Sequence, residues 1–185
     1  ESVEKPILSQ EINVVATLKL LETIKKYNSH IKRFIFASSA AVYGDLPDLP
    51  KSDQSLILPL SPYAIDKYYG ERTTLNYCSL YNIPTAVVKF FNVFGPRQDP
   101  KSQYSGVISK MFDSFEHNKP FTFFGDGLQT RDFVYVYDVV QSVRLIMEHK
   151  DAVGRIIGEL YGKSVEHDFK EARKGDIKHS YADIS

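Results

Sequence analysis

The sequence predicts an α/β protein built on a parallel sheet. Two observations carry that prediction. Helical and strand-like stretches alternate along the chain, the order expected of a parallel sheet with crossover helices. The stretch "IKRFIFASS" is short and almost continuously apolar, as a strand covered on both faces is. A chain of 185 residues with 43% hydrophobic residues is enough for one folded domain or a little more.

The elements follow in order. Residues 10–28, "QEINVVATLKLLETIKKYN", predict a helix, with Ile12, Val15, Leu18 and Leu21 at helical spacing. Residues 45–60 contain Asp45, Pro47, Asp48, Pro50, Asp53 and Pro59 and predict a loop. Ser61 and Pro62 have the chemistry of an N-cap followed by the first helical position, opening a helix that runs to about Tyr81. "IPTAVVKFFNVFG" predicts a strand and then a loop, and residues 103–118 a helix. "PFTFFGDG" predicts a short extended piece closed by a turn, "RDFVYVYD" a strand, and "VVQSVRLIMEHK" a helix. Gly154 reads as a helix stop and Arg155–Leu160 as the middle of another helix, with almost no connection between them. The expectation is that residues are missing between 154 and 155. The opening "ESVEKPILSQE" has no initiator Met and no apolar leader, and the expectation is that the chain begins inside a longer protein.

Composition narrows the function. Formal net charge is zero, which gives no electrostatic case for a nucleic acid or an anionic membrane. No apolar run approaches the length of a membrane span. The single cysteine, Cys78, excludes an internal disulfide and reads as a small buried residue on a helix, and low cysteine use suits a reducing, cytoplasmic setting. The five histidines show no metal-ligand spacing, so no metal is expected.

Four stretches carry chemistry. In "SPYAIDKYYGE", Tyr63 and Lys67 lie four apart and share a helix face. That spacing alone proves little in a chain with 12 tyrosines. It gains weight from Ser38 and Ser39, which end the strand "FIFASS", where ligands bind in open α/β sheets. A free tyrosine has a pKa of about 10, and a nearby cation favours its phenolate. Tyr63 would then take a proton from an alcohol or sugar hydroxyl while Ser39 holds the same oxygen. In "KFFNVFGPRQDP", Asn92 and Arg97 follow a strand, as an ordinary polar loop or a ligand cradle does. "FFGDGLQTRDF" places Arg131 after a tight Gly-Asp-Gly turn, as a surface ion-pair partner or a phosphate ligand. In "EARKGDIKHSYADIS", Arg173 suits a phosphate and Asp176 a pair of ribose hydroxyls.

Taken together, five segments resemble the extended short-chain dehydrogenase/reductase family, in particular its nucleotide-sugar 4-epimerases. They are SSAAVYG (38–44), SPYAIDK (61–67), FFNVFGPRQ (90–98), GDGLQTRDF (125–133) and RKGD (173–176), in family order and spacing over nearly the whole chain. The resemblance implies part of a doubly wound, Rossmann-type parallel sheet with a smaller substrate-binding region. It divides the chain into a remaining dinucleotide-binding part (1–90 and 134–154) and a nucleotide-sugar-binding part (91–133 and 155–185). The family's N-terminal βαβ unit, with its Gly-rich turn, is absent from this sequence.

By that resemblance Ser39, Tyr63 and Lys67 are catalytic, and Asn13, Tyr63, Lys67 and Phe90 lie at an NAD cofactor. Ser39, Asn92, Phe124, Arg131, Arg173, Asp176 and Ser180 would bind a UDP-sugar. The implied reaction is oxidation and re-reduction at C4 through a transient 4-keto sugar. Where dehydratases and decarboxylases of the family carry an acid after the catalytic serine or threonine, this chain has Ala40 and Ala41, which favours epimerisation. Ser180 stands where plain-hexose epimerases tend to have a bulky tyrosine, leaving room for an N-acetyl group. The expectation is interconversion of UDP-GlcNAc and UDP-GalNAc for surface polysaccharide, by a homodimer pairing through helices near residues 10–28 and 62–81. The alternatives are UDP-glucose or UDP-uronate epimerisation, a reductase, or a non-catalytic nucleotide-sugar-binding fragment.

Overall fold

The structure, a computed structural model, describes residues 1–28, 30–102 and 105–148, with the backbone of 168–170 and 179–180. The chain opens with α1 (Pro6–Gln10), which passes through a π-helical segment (Glu11–Val15) into α2 (Ala16–Tyr27). Then come β1 (Phe34–Ser39), a 3-10 turn (Ala40–Tyr43) and α3 (Pro62–Tyr81). Beyond these lie β2 (Thr85–Phe90), β3 (Asn92–Phe94), α4 (Val107–Glu116), β4 (Thr122–Phe124), β5 (Thr130–Arg131) and β6 (Phe133–Tyr135). The chain closes with α5 (Val136–Glu148), β7 (Asp168–Lys170) and β8 (His179–Ser180). Every strand pair is parallel: β1 with β2, β3 with β6, β4 with β7, β5 with β8.

The β1–β2 pair is covered on both faces, which explains its apolar sequence. Successive strand side chains point to opposite faces. Phe34 joins a core of Leu21, Tyr77 and Ile83, the α2–α3 side. Ile35 joins Ala86, Val88 and Ile146, the α5 side. Helices on both faces of a parallel sheet are the doubly wound arrangement. Arg33 at the foot of β1 donates to the Ile146 carbonyl at the end of α5, 2.7 Å away, fixing that helix to the sheet.

Three boundaries differ from the sequence reading. The first helix starts at Pro6, because a proline at the first turn presets φ and gives up only an N–H with no helical acceptor. Within it, residues 11–15 widen into a π-turn, with the Ala16 amide donating to Glu11 O. The stretch "RDFVYVYD" is not one strand. Val136, Tyr137 and Asp138 already belong to α5, where Val136, Val139, Val143 and Ile146 recur at helical spacing and Asp138 sits in the acidic first turn. The alternation of Val and Tyr mimics a strand, but burial of that helical stripe wins. The suspected break between 154 and 155 lies outside the described residues.

Candidate active site

The site begins with the capping of α3. Ser61 has extended backbone, and its hydroxyl accepts from Ala64 N at 3.2 Å, with Pro62 at the first helical position. The helix therefore starts at a fixed residue, and Tyr63 and Lys67 fall on its sheet-facing edge. Gly70, one turn on, allows close approach. A Cβ there would sit 2.3 Å from Cζ of Phe36 in β1.

Strand β1 delivers Ser39 to the same place. Ser39 ends the strand and caps the 3-10 turn, its hydroxyl accepting from Ala41 N at 3.2 Å. That bond leaves the Ser39 O–H to donate on the side of the Tyr63 phenol, whose ionised form it favours. In register, Ser39 is the partner of Phe90 at the end of β2. Ser39, Phe90, Tyr63 and Lys67 thus meet at the carboxyl edge of the pair. Gly44 follows at φ +64, where a Cβ would meet the Leu58 carbonyl at 2.1 Å. Only glycine lets the chain double back beside the site here, with Leu58 N donating to Val42 O.

The electrostatics differ from the expectation of a lowered tyrosine pKa. Burial pushes the Tyr63 phenol up, and the Ser39 hydrogen bond offsets this in part. The Lys67 ammonium stands 5.6 Å from the centroid of the Tyr63 ring and 5.3 Å from that of Phe36. It lies against the rings, and burial is the larger influence on the phenol. Lys67 itself is held below the usual lysine range by burial, against the opposing pull of Asp66. Its Nζ donates to Ala37 O at 3.1 Å, and its other N–H groups have no acceptor among the described residues. An ammonium with spare donors at a sheet's carboxyl edge fits the paired hydroxyls of a nicotinamide ribose. Only that end of a dinucleotide is provided by these residues.

Asn13 lies in the π-helical segment, which packs against α3, and its Nδ2 donates to Ser9 O at 3.0 Å. Asn92 spends both a backbone and a side-chain N–H on the buried Asp132 carbonyl, at 3.2 and 2.8 Å, tying β3 to β6. Oδ1 and one N–H remain for a ligand. Phe124 ends β4 and is 38% exposed. Arg131 lies in β5, its Nη1 bonded to Thr130 O, and its register partner is Ser180 in β8. Arg173 and Asp176 lie outside the described residues. A cleft of about 410 Å³ opens beyond β3 and β6, lined by Phe94, Gln98, Ile108, Phe112, Asp113 and Tyr135 among others.

Sequence reasoning missed a polar network beneath the site. Glu71 is buried on α3. It receives Ser38 Oγ at 3.2 Å on one carboxylate oxygen and Lys89 Nζ at 2.9 Å on the other. Lys89 also stands 5.7 Å from the centroid of the buried Tyr43 ring. Two signals were present: a lysine inside the apolar run "TAVVKFF", and a glutamate four residues after Lys67. Among the described residues no cluster of potential metal ligands occurs, and no helix is long and apolar enough to cross a membrane.

The chain is similar to proteins of one enzyme family. A family described as the NAD dependent epimerase/dehydratase family matches residues 1–158. A protein of Methanocaldococcus jannaschii named putative UDP-glucose 4-epimerase is 39% identical over 99% of this chain and 64% of its own length. The solved UDP-N-acetylglucosamine 4-epimerase of Methanobrevibacter ruminantium, in complex with UDP-N-acetylmuramic acid, is 35% identical with a TM-score of 0.86, covering 100% of this chain and 64% of that one. The UDP-glucuronic acid 4-epimerase of Bacillus cereus, in complex with UDP-glucuronic acid and NAD, is 32% identical with a TM-score of 0.78, covering 93% and 58%. The chain thus spans just under two thirds of the length of these relatives.

Proposed function

The chain belongs to the NAD dependent epimerase/dehydratase family, and on that premise we propose that its protein inverts C4 of a UDP-sugar, with UDP-GlcNAc and UDP-GalNAc as the pair. The observation that carries the reading is the convergence of Ser39, Tyr63 and Lys67 at the carboxyl edge of β1 and β2, with Lys67 donating to Ala37 O. When bound, NAD would supply the hydride acceptor and donor for C4 and a cationic ring, held by Lys67 with Asn13 and Phe90.

The chain's own residues handle the proton and the positions. Tyr63 Oη receives the proton of the 4-hydroxyl and later returns it. Ser39 bonds the same sugar oxygen, which keeps it in line as the carbonyl forms. Lys67 grips the ribose hydroxyls with the donors that Ala37 O leaves unused. Tyr63 alone is a poor base, since burial raises its pKa. The phenolate therefore forms only when a cationic group arrives, which ties proton removal to a loaded site. Asn92, Arg131 and Arg173 hold the UDP part through its phosphates and Asp176 through its ribose hydroxyls while the 4-keto sugar turns over. Ala40 and Ala41 in the 3-10 turn offer no acid for elimination, so a 4-keto sugar held here would be reduced again rather than dehydrated.

Ser180 supports the N-acetyl sugar. It is the register partner of Arg131, so a small residue stands beside a candidate diphosphate ligand. A second reading, UDP-glucose, is favoured by the name of the Methanocaldococcus relative. Turnover of UDP-GlcNAc, UDP-glucose and UDP-glucuronate under the same conditions decides. The highest kcat/KM is expected for UDP-GlcNAc, and a strong preference for UDP-glucose overturns the N-acetyl assignment. We also assign a homodimer through the helices at 6–27 and 62–81, supported by the exposed Ile7, Ile12, Leu20, Ile65, Tyr69 and Leu80. Sedimentation checks it, with a dimer expected and a monomer at micromolar concentration opposing it. The setting proposed is cytoplasmic, in supply of sugars for surface polysaccharide.

A further inference from the structure

We propose that Glu71 is a positioning residue: bonded at once to Ser38 and Lys89, it pins the carboxyl ends of β1 and β2 to α3 and so holds Ser39 against Tyr63. The proposal rests on the reading of Ser39, Tyr63 and Lys67 as the catalytic set.

The two oxygens of Glu71 go to different strands. Ser38 Oγ reaches Oε2 at 3.2 Å, and Lys89 Nζ reaches Oε1 at 2.9 Å. Ser38 and Lys89 are register partners, so both side chains leave the sheet on the α3 face. Glu71 lies one turn beyond Lys67 and two beyond Tyr63, on one stripe of α3. Ser38 immediately precedes Ser39. Lys89 also lies against the ring of Tyr43, the last residue of the turn that follows Ser39. Both flanks of Ser39 are therefore tied to one carboxylate.

Stability does not account for this arrangement. Buried ion pairs replaced by apolar residues of similar volume are often as stable or more so, because two charges have been taken out of water. What a bonded carboxylate adds is fixed distance. Three elements meet here, and a catalytic hydrogen bond is sensitive to displacements of about 1 Å.

Tyr43 of the 3-10 turn stands against the pair, and Tyr63, Asp66 and Lys67 are the titratable groups that precede Glu71 within two turns of α3. From α1, Ser9 is bonded to Asp66. From α2, Glu22 is bonded to Tyr77 further along α3, and Glu11 of the π-helical segment is exposed. The variant Glu71→Met/Lys89→Met leaves the net charge unchanged, so any change at Tyr63 reports geometry.

The experiment follows Tyr63 ionisation by the ¹³Cζ resonance of labelled tyrosine, assigned with Tyr63→Phe, in the protein without substrate. The same variants are then assayed for UDP-sugar turnover, and their melting is recorded. Glu71→Met/Lys89→Met is expected to melt close to the parent but to titrate Tyr63 at higher pH, because the Ser39 hydroxyl that favours the phenolate is displaced. Its kcat is expected to fall about 10- to 100-fold with KM within about threefold. Ser38→Ala, which keeps the ion pair, moves both readouts the same way by less. A Tyr63 midpoint and kcat equal to the parent in these variants overturn the proposal. If the double variant does not fold, Ser38→Ala decides alone. If the parent epimerises no UDP-sugar, the functional reading falls, and the Tyr63 midpoint still decides the role of Glu71.

Discussion

Replacing Gly70 with alanine tests how closely α3 must sit on β1. The added Cβ would lie 2.3 Å from Phe36 Cζ, 2.8 Å from Cε2 and 3.0 Å from Cε1. These are three atoms of one buried ring, so no single flexible tip can swing away. Ordinary contact starts near 3.4 Å, so ring and helix must separate by about 1.1 Å, and overpacking of this kind costs about 1–3 kcal/mol. Alanine returns about 1 kcal/mol through helix propensity. The net expectation is a loss of up to about 2 kcal/mol, read as a fall in Tm of up to about 8 °C for a chain of this size. The displaced helix carries Tyr63 and Lys67, so kcat should fall about 10- to 100-fold as they move from Ser39. The assay is thermal melting with turnover of a UDP-sugar, on Gly70→Ala, Phe36→Leu and the double variant. Removing the ring should relieve the clash, so the double variant should be more stable than the sum of the singles. A Gly70→Ala protein that melts at or above the parent, with full activity, refutes the close-approach argument.

Three further outcomes follow from the same geometry. Ser61→Ala removes the cap of α3 and is expected to cost about 1 kcal/mol in urea unfolding. Leu21→Ala empties a fully buried position between α2 and α3 and is expected to cost about 2–5 kcal/mol by the same measurement. Burial and the hydrogen bond to Glu22 push the Tyr77 phenol up to about 12. Between its ordinary value near 10 and that value the folded state keeps a proton the unfolded chain has lost, so its contribution is complete below pH 10 and is lost as pH rises toward 12. Melting at pH 9 and pH 11 should show a steeper alkaline loss in the parent than in Tyr77→Phe.

Legibility in the sequence varied with the kind of signal. The strand "FIFASS" is readable from its continuous apolar run and the helix at 62–81 from its Ser-Pro start, and both appear where expected. The start of α5 was misread because β-branched and aromatic residues at Val134–Tyr137 satisfy both periods, and only tertiary burial separates them. The π-turn at Glu11–Val15 has no compositional mark. For the site, Ser39, Tyr63 and Lys67 could be named from motifs, but not the sense of the tyrosine's shift. That depends on where the Lys67 ammonium stands, and it stands over the rings. Glu71 stayed invisible because its partners, Ser38 and Lys89, are brought together only by the register of two strands whose paired residues lie 51 apart in the chain.

The central claim is that Tyr63 removes a proton while the C4 hydrogen leaves as hydride and returns to the same carbon. The most direct measurement incubates UDP-GlcNAc deuterated at C4 with the protein and NAD in ordinary water and reads the product by NMR. The account predicts a C4 epimer that retains deuterium at C4, and no epimer from Tyr63→Phe. Loss of the label to solvent, or epimer formed at the parent rate by Tyr63→Phe, would contradict it.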